Sequence, residues 1–530
     1  MAYAQSVPAE IRETVEVLKG IFGMPNQSGY NSEQLDFIAK TFGISSGFQP
    51  YDLSAVAYYL QPVFSPFRNR TPRLHLQGKN MEFKSVTNVD TNDVPGTVAE
   101  GQIAAAIATQ FADVTTYFKA YGASSDPVTF EELYAGAGKS GDFNIDARAV
   151  AVANLLKAVF IKEERMMLGG VGSAAQVATI NTAPQNGLNF TIGGPMGNAP
   201  AGGALAANAT GGTIPASTTV YAQYVGVSSV AIATGMPTNS GVIPFTKTNA
   251  GQSLPQTAVI SATTGTGSTN SVTFTPPSYS GPVPVLGWAL FLGAASGGPF
   301  YIAAFTTGAP VTVGAVPTTG LNPPTTDNTA VTSVSGGTGS TVEGMMNGIL
   351  PWLYGTNSGA TIQQVNGAWS KASVDTAFLN AFNGSFADPD EFWVNALDLG
   401  TLTDLLIGQN TGQPYWFAAN AGNAQADMVG GFRVSRYLNP ATGRIMPVNV
   451  HAYLPQGTAI ALTSQLPPWY VGNNVPDTWV WGGSMDYLEV DYQPTANRKQ
   501  WISEIECVGA IHCFLPSQNI VWSGITAPAA

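Results

Sequence analysis

The sequence predicts a chain of the α+β class into which a separate all-β sandwich has been inserted. Residues 171–340 contain only two charged side chains, Lys247 and Asp327, whereas charged residues are spread through the sequence on both sides. A sharp change of composition with mixed sequence on each flank marks an inserted domain. Outside this window helical and strand patterns alternate, which favours the α+β class for the rest of the chain.

Short strand patterns fill the uncharged window. Residues 218–225 and 271–275 are rich in β-branched and aromatic residues and are bounded by Gly, Pro, Ser and Asn turns. The segment 288–302 resembles the strand, tight turn and strand of fibronectin type III and related immunoglobulin-like modules. We therefore expect residues 186–340 to form an immunoglobulin/fibronectin-III-like β-sandwich.

One long amphipathic helix is predicted for residues 144–168. Leu155 and Val159 lie on the wide apolar face of the pattern, and Glu164 lies on the opposite, polar face. Gly169 follows the last helical position, where glycine commonly ends a helix. A helix of about 25 residues would be roughly 37 Å long.

An extended arm is predicted ahead of this helix. Residues 61–110 contain prolines at positions 62, 66 and 72, followed by an alternating ribbon over residues 75–84. Few of these residues could fill a core, so we expect a long β-hairpin loop that rests on another surface.

The only basic concentration of the chain lies on this arm. Its charged residues are candidates for contact between subunits: Arg68, Arg70, Arg73, Lys79, Glu82 and Lys84. The formal net charge of −12 argues against sequence-independent binding of nucleic acid, because such binding requires clustered Lys and Arg to neutralise phosphates. We therefore expect the basic side chains to pair with an acidic neighbouring subunit.

No stretch of the sequence predicts a membrane span or a secretion signal. The apolar runs fall short of the roughly 18 residues that a span needs, and residues 1–19 form an amphipathic helical pattern. Cys507 and Cys513 are the only cysteines, too few for a disulfide scaffold. We expect synthesis in a reducing cytoplasm without export.

Two sequence motifs imitate nucleotide-binding and hydrolase sites. Gly138–Ser140 matches the end of a P-loop, but Leu133 stands where that motif needs glycine. Ser45 lies in a segment that matches the nucleophile-elbow motif, yet the pattern predicts no strand before it and no helix after it. An ordinary loop is the better interpretation of both.

Two further groups could hold a metal or act as paired acids. Cys507, His512 and Cys513 offer three zinc ligands without a fourth nearby in the sequence. The carboxylates that alternate along predicted strands, at positions suited to one sheet face, are Asp486, Glu489, Asp491, Glu504 and Glu506. Solvated or inter-subunit faces explain them better than glycosidase or calcium chemistry. We predict no catalytic site, no cofactor and no metal site.

The order of these parts resembles the major capsid proteins of tailed bacteriophages, whose fold is shared with the herpesvirus shell protein. Residues 62–72 resemble the entry to the extended loop of that fold, and residues 145–169 resemble its spine helix. Residues 348–352 and 448–458 resemble segments of its central, axial domain.

The resemblance implies a division of the chain into six parts. These are an N-terminal arm with short helices (1–60), an extended β-hairpin loop (61–110), a peripheral domain with the spine helix (111–185), the inserted sandwich (186–340), an axial domain (341–465), and a return to the peripheral domain with the C-terminus (466–530). Axial and peripheral domains are the two parts that tile such a shell.

The resemblance also implies the function. Subunits of this family assemble as hexamers and pentamers into an icosahedral shell that encloses double-stranded DNA in the virion, with scaffold, portal and cement proteins as candidate partners. A surface-exposed β-rich binding protein of the adhesin type and another structural virion component stay open as alternatives. The uncharged sandwich favours the first of these, whereas the long helix counts against it.

Overall fold

The computed structural model describes residues 63–89, 100–103, 109–129, 147–172, 176–180, 190–234, 251–331, 333–335, 341–408, 434–466, 475, 477–492 and 499–526. All of these belong to one compact unit of the chain. The arm predicted for residues 1–60, the predicted helix start at Asn144, and the motifs at Ser45 and Gly138–Ser140 lie outside the described residues.

Six helices are described: α1 (Pro66–Arg70), α2 (Ala147–Gly169), α3 (Val230–Thr234), α4 (Ile349–Tyr354), α5 (Lys371–Ser385) and α6 (Ala396–Gly408). Within the described residues, none is long and apolar enough to cross a membrane. The mixture of helices with many strands confirms the predicted α+β class.

The strands of the first half are β1 (Arg73–His75), β2 (Asn80–Val89), β3 (Thr109–Tyr117), β4 (Lys119–Ser124), β5 (Val128–Thr129), β6 (Gln176–Ile180), β7 (Phe190–Ile192), β8 (Ala204–Asn208), β9 (Thr219–Ser228), β10 (Ile260–Thr263), β11 (Ser271–Thr275) and β12 (Val285–Gly293). Those of the second half are β13 (Tyr301–Thr306), β14 (Val311–Val313), β15 (Ser333–Ser335), β16 (Thr341–Glu343), β17 (Thr361–Ala368), β18 (Glu391–Val394), β19 (Arg436–Leu438), β20 (Ile445–Val450), β21 (Ala459–Leu462), β22 (Trp479–Tyr492), β23 (Gln500–Cys513) and β24 (Ile520–Thr526).

The long helix α2 packs on a sheet ordered β1-β22-β23-β4, in which β5 also pairs with β23. Its 23 residues span roughly 35 Å. Leu155 and Val159 are buried against Ile505 of β23, as the apolar face predicts. A side chain at Gly169 would meet the Ser229 carbonyl oxygen at 2.4 Å, so glycine is needed where α2 touches the segment before α3.

The predicted polar face of α2 is wrong at its C-terminal end. Glu164, expected on the solvent side, is fully buried, and so is Glu163 beside it. The last turns of α2 contact α1, α3 and α4 in addition to the sheet, so no side of the helix is left for solvent there. A single amphipathic pattern describes a helix that packs on one side only.

A six-stranded mixed sheet, ordered β17-β24-β21-β18-β20-β19, follows the inserted region. One face carries Phe392 and Trp522 against α5 and α6, and the other carries Trp393 and Val521 into the core beside α4. A capping box between Ser370 and Ser373 begins α5. The alternation of helical and strand patterns predicted outside the uncharged window is confirmed here by α5, β18 and α6.

The uncharged window contains two antiparallel sheets, ordered β10-β9-β12-β13 and β14-β11-β8. Tyr224, Phe274 and Trp288 pack between them. The intervening residues Val225 and Phe291 point the other way, into the main core of the chain. The four-stranded sheet is therefore buried on both faces. The classification of residues 186–340 as an immunoglobulin/fibronectin-III-like domain stays a prediction.

Burial of Asp398 predicts a pH-dependent stability. Burial raises the pKa of this carboxyl to about 7, although the Gly457 N–H donates to it at 2.8 Å. An unfolded Asp titrates near pH 4, so the folded state alone binds this proton between about pH 4 and pH 7. The free energy of unfolding should fall across that window as pH rises, by about 4 kcal/mol.

Asp398→Asn should remove this component, because the amide oxygen can still accept from Gly457 and does not titrate. We expect the thermal midpoint of the full chain to fall less between pH 5 and pH 8 in the variant than in the parent. Scanning calorimetry at both pH values checks this, and equal falls in parent and variant would contradict it.

Candidate assembly site at the base of the extended hairpin

Two adjacent, fully buried glutamates form the centre of the site. Glu163 and Glu164 have no exposed side-chain surface and lie two turns from the end of α2. Neighbouring residues on a helix point about 100° apart, so each carboxylate reaches a different set of partners. A buried carboxylate without partners would cost several kcal/mol, so the partners decide whether this segment folds as it does.

Glu164 caps the short helix α1 from a distance. Its two oxygens accept the backbone N–H groups of Phe67 at 2.9 Å and Arg68 at 2.8 Å. These belong to the first turn of α1, whose N–H groups have no partner within the helix, and the N-cap residue Ser65 makes no side-chain cap bond. The carboxylate also complements the positive end of the helix dipole.

His451 joins Glu164 to the six-stranded sheet. Its Nε2 lies 2.8 Å from Glu164 Oε1, and its Nδ1 accepts the Tyr453 N–H at 3.2 Å. The second contact requires an unprotonated Nδ1, so the ring is the neutral tautomer that donates from Nε2. Phe67 stacks on the same imidazole at 4.6 Å between centroids, which encloses the pair in apolar surface.

Glu163 accepts from two arginines and two tyrosines. Arg68 Nε lies at 3.2 Å, Arg73 Nη2 at 2.5 Å and the Tyr121 hydroxyl at 2.6 Å, and the Tyr487 hydroxyl also donates to it. A carboxylate offers about four acceptor positions, so Glu163 is saturated. These donors come from the arm, β1, β4 and β22.

The arginines are held from the side by aromatic rings. Arg68 lies over the Phe160 ring at 3.6 Å, and Arg73 lies over the Trp481 ring at 4.4 Å. Burial by itself lowers the pKa of Arg73, but Glu163 raises it above its usual value. Burial, followed by the charge of Glu163, raises the pKa of Tyr487. Both groups therefore stay protonated and keep donating at any ordinary pH.

Arg70 pairs at a separate place. It contacts Glu391 directly and lies 3.9 Å from Asp390, at the start of β18. Burial raises the pKa of Glu391, and Arg70 opposes that shift without cancelling it. The arm is thus attached by ion pairs to both α2 and the six-stranded sheet.

The basic arm residues find acidic partners within their own chain. Arg68, Arg70 and Arg73 pair with Glu163, Glu391 and Asp486, and their contact with a neighbouring subunit stays a prediction. The sequence has enough acids to neutralise its own arm, and pairs inside one chain cost less entropy than pairs between chains. Lys79 and Glu82 are exposed, and the side chain of Lys84 lies outside the described residues.

The hairpin itself leaves from this anchored base. β2 and β3 pair antiparallel from Asn80 with Tyr117 to Val89 with Thr109, with an irregularity after Val86. β3 continues into β6 and β7 to make a four-stranded sheet. Between β2 and β3, Ile103 is 97% exposed.

The remaining sequence candidates do not converge. Cys507 and His512 lie five residues apart on β23 and so point to opposite faces of the strand. The Cys507 thiol contacts the Tyr121 hydroxyl at 3.2 Å, whereas His512 contacts Thr116 at 2.5 Å among aromatic rings. In the part of the chain that the structure describes, no three His, Cys, Asp or Glu residues are grouped to hold a metal ion.

Paired-acid chemistry finds no support in the geometry either. Asp486 pairs with Arg73 at 2.7 Å, and Asp491 accepts from the Ser503 hydroxyl at 2.5 Å. Glu506 is exposed on the face of β23 that lies away from Cys507. These acids are tied to the anchor, to a neighbouring strand or to solvent.

Sequence reasoning missed the residues that matter most here: Glu163, His451, Tyr121 and Tyr487. The sequence around Glu163 does carry a signal that this residue is buried. Two acids separated by only Arg165 from Met166, Met167 and Leu168 are unusual on a solvent face, since the apolar run fills every side of the next turn. Nothing local to the other three residues indicates a partner on α2.

No family model matches the sequence, and no curated protein matches it. Among solved structures the chain is similar to the capsid of a native GTA particle, with 8% identity and a TM-score of 0.39 over 94% of this chain and 100% of that one. The capsid of Cyanophage P-SCSP1u shows 8% identity and a TM-score of 0.34, over 98% of this chain and 99% of that one. A chain of Gordonia phage Cozz shows 9% identity and a TM-score of 0.37, over 94% of this chain and 97% of that one. These likenesses by themselves assign no function.

Replacing Glu164 tests the anchor. Glu164→Ala leaves two buried N–H groups and His451 without an acceptor, so we expect a loss of about 3–5 kcal/mol in stability. The amide protons of Phe67 and Arg68 should exchange with solvent much faster than in the parent. Hydrogen-exchange mass spectrometry of the peptide that covers residues 63–76 measures this directly.

Glu506→Ala is the matched control, because that carboxylate is exposed and removing it should change stability by less than about 0.5 kcal/mol. Glu164→Gln keeps one acceptor oxygen, so its loss of stability should lie between those of Glu164→Ala and Glu506→Ala. Parental exchange at Phe67 and Arg68 in Glu164→Ala would show that the carboxylate does not hold α1.

Proposed function

We propose that this protein is the major capsid protein of a tailed bacteriophage, which assembles as hexamers and pentamers into an icosahedral shell around double-stranded DNA. The observation that carries the proposal is the β2–β3 hairpin, fixed at its base by buried ionic hydrogen bonds. Such a base lets a subunit present a long projection in one direction to a neighbour.

The dimensions and surface of the hairpin suit that role. A strand of 10 residues reaches roughly 33 Å, and the exposed residues Lys79, Glu82 and Ile103 offer charged and apolar contacts along it. We propose Lys79, Glu82 and Lys84 as the arm residues that contact another subunit. Many such contacts in each subunit would make the shell cooperative.

The charge distribution supports enclosure of DNA rather than direct binding to its phosphates. The arginines of the arm are neutralised by Glu163, Glu391 and Asp486, and the chain has a formal net charge of −12. Phosphate binding needs free, clustered cations. We propose that the subunit surrounds the genome without sequence-specific contact and works with scaffold, portal and cement proteins in the host cytoplasm and the virion.

We propose no catalytic role. Burial lowers the pKa of His512 to about 3, and aromatic rings enclose it, so it cannot exchange protons with a substrate near neutral pH. Burial likewise raises the pKa of the Cys507 thiol, which disfavours the thiolate that a nucleophile needs.

Electron microscopy and size-exclusion chromatography of the full chain expressed alone test the proposal. Closed shells or ring-shaped capsomers are the expected result. A chain that stays monomeric both alone and with the other head proteins of its phage would contradict the proposal and favour the alternative of a β-rich surface-binding protein.

Lys79→Glu tests the role of the hairpin. Its side chain is exposed, so the thermal midpoint of the unassembled subunit should stay the same. The concentration needed for assembly should rise about tenfold or more, because a like charge then faces an acidic neighbour. Light scattering and electron microscopy measure both effects.

Arg436→Glu is the matched control, since it is the same kind of charge reversal on the exposed strand β19, away from the hairpin. Parental assembly of Lys79→Glu, or equal losses in both variants, would argue against a specific hairpin contact.

A further inference from the structure

The sheet that carries α2 exposes an apolar ladder on β22, formed by Leu488, Val490 and Tyr492. These residues alternate along the strand and are 47%, 42% and 41% exposed. Alternate residues of a strand point to the same face of its sheet. The solvated face of an antiparallel sheet normally carries polar side chains, so three large apolar residues in succession on an open face are unusual.

The pairing of β22 with β23 shows which face carries the ladder. Leu488 lies opposite Glu506, and in the same register Val490 lies opposite Glu504. Directly opposite residues share a face. Ile505, between the two glutamates, is buried against α2. The ladder and the two carboxylates beside it therefore point away from α2.

The subunit's own hairpin covers only one end of this face. His512 lies six residues from Glu506 on β23 and so points to the same side. Its ring packs against Phe83 of β2, with centroids 4.5 Å apart. On β22, a side chain at Gly482 would meet Met81 Sδ at 3.2 Å. Hairpin residues thus already pack on this face, and the exposed ladder lies beyond the part that they cover.

The carboxylates beside the ladder indicate what covers it. Glu506 is exposed and Glu504 is half-buried, so a surface that buries the ladder must also bring positive charge. A chain with a formal net charge of −12 has few such surfaces. The base of the β2–β3 hairpin is one of them. Lys79 and Tyr117 are both exposed there, at neighbouring positions, since the Phe118 N–H donates to the Lys79 carbonyl at 2.9 Å.

We propose that the ladder binds the hairpin base of a second copy of this chain, with Lys79 of that copy paired to Glu504 and Glu506. This inference rests on the proposed function and names the surface that receives the hairpin. Burial of the ladder supplies affinity, and the charge pairing fixes the register of the two subunits. Nucleic acid is excluded as the occupant because the carboxylates repel phosphates.

Reversing both charges tests the pairing in the full chain. Lys79→Glu and Glu506→Lys should each raise the concentration needed for assembly about tenfold or more, because each places like charges opposite one another. The two substitutions together restore opposite charges, so the double variant should assemble within about threefold of the parent. Light scattering measures assembly, and the thermal midpoints of the unassembled subunits should match that of the parent.

Glu489→Lys is the matched control, since Glu489 is exposed on the same strand but lies opposite Ile505, on the α2 side of the sheet. It makes the same change of charge as Glu506→Lys. Alone it should assemble like the parent, and combined with Lys79→Glu it should not restore assembly. Equal recovery of assembly with Glu489→Lys and with Glu506→Lys would overturn the proposed pairing, because net charge alone would then explain both.

Replacing Leu488 and Val490 together with Thr tests the ladder without any change of charge. Threonine suits a strand and both positions are exposed, so the thermal midpoint of the unassembled subunit should stay the same. The concentration needed for assembly should rise about tenfold or more. Parental assembly of this variant overturns the proposal, as does a double charge reversal that fails to recover. A parent that never assembles would instead refute the proposed function.

Discussion

The described fold depends on the burial of two adjacent carboxylates near the end of α2. Glu163 and Glu164 cannot be moved into the interior as charges unless every acceptor position finds a donor. Four donors meet Glu163 and three meet Glu164, and they come from α1, β1, β4, β22 and the segment after β20. These elements are fixed relative to one another because each must supply its donor at once.

This requirement explains how a weakly packed arm can have a defined direction. The segment that leads into the hairpin buries one large side chain, Phe67, and leaves nearly all the others half-buried or exposed. Hydrophobic burial alone would not hold it. Hydrogen bonds to a buried charge are both stronger and more directional than neutral ones, so the carboxylates supply the orientation that packing does not. The hairpin then leaves from a rigid base.

The sequence predicted elements with local patterns well and long-range pairing poorly. α2, β9 and β11 follow from periodicity and turn residues that act within a few positions. The burial of Glu164 does not, because its partners at Phe67 and His451 lie 97 and 287 residues away. The arginines of the arm pair with acids of their own chain, which the sequence could not distinguish from pairing with a neighbour, because that choice depends on tertiary structure.

The inserted region shows the same limit. Its strands were predicted from β-branched and aromatic patterns, and the loss of charge marked the window. A sandwich by itself buries only the inner faces of its sheets, whereas Val225 of β9 and Phe291 of β12 bury the other face in the main core. Strands buried on both sides read as continuous apolar runs, and the sequence 289–292 of β12 is such a run. Low charge there reflects this burial on both faces.

Hydrogen exchange on the full chain, compared between the unassembled subunit and the proposed shell, tests whether an anchored base presents the hairpin to a neighbour. We predict slow exchange at Phe67 and Arg68 in both states, because Glu164 holds them within the subunit. At the exposed hairpin residues Lys79, Asn80 and Glu82, which lie at the start of the edge strand β2, we predict faster exchange in the unassembled subunit than in the shell. Equal protection of the hairpin in both states would contradict the claim that an anchored base presents it to a neighbour.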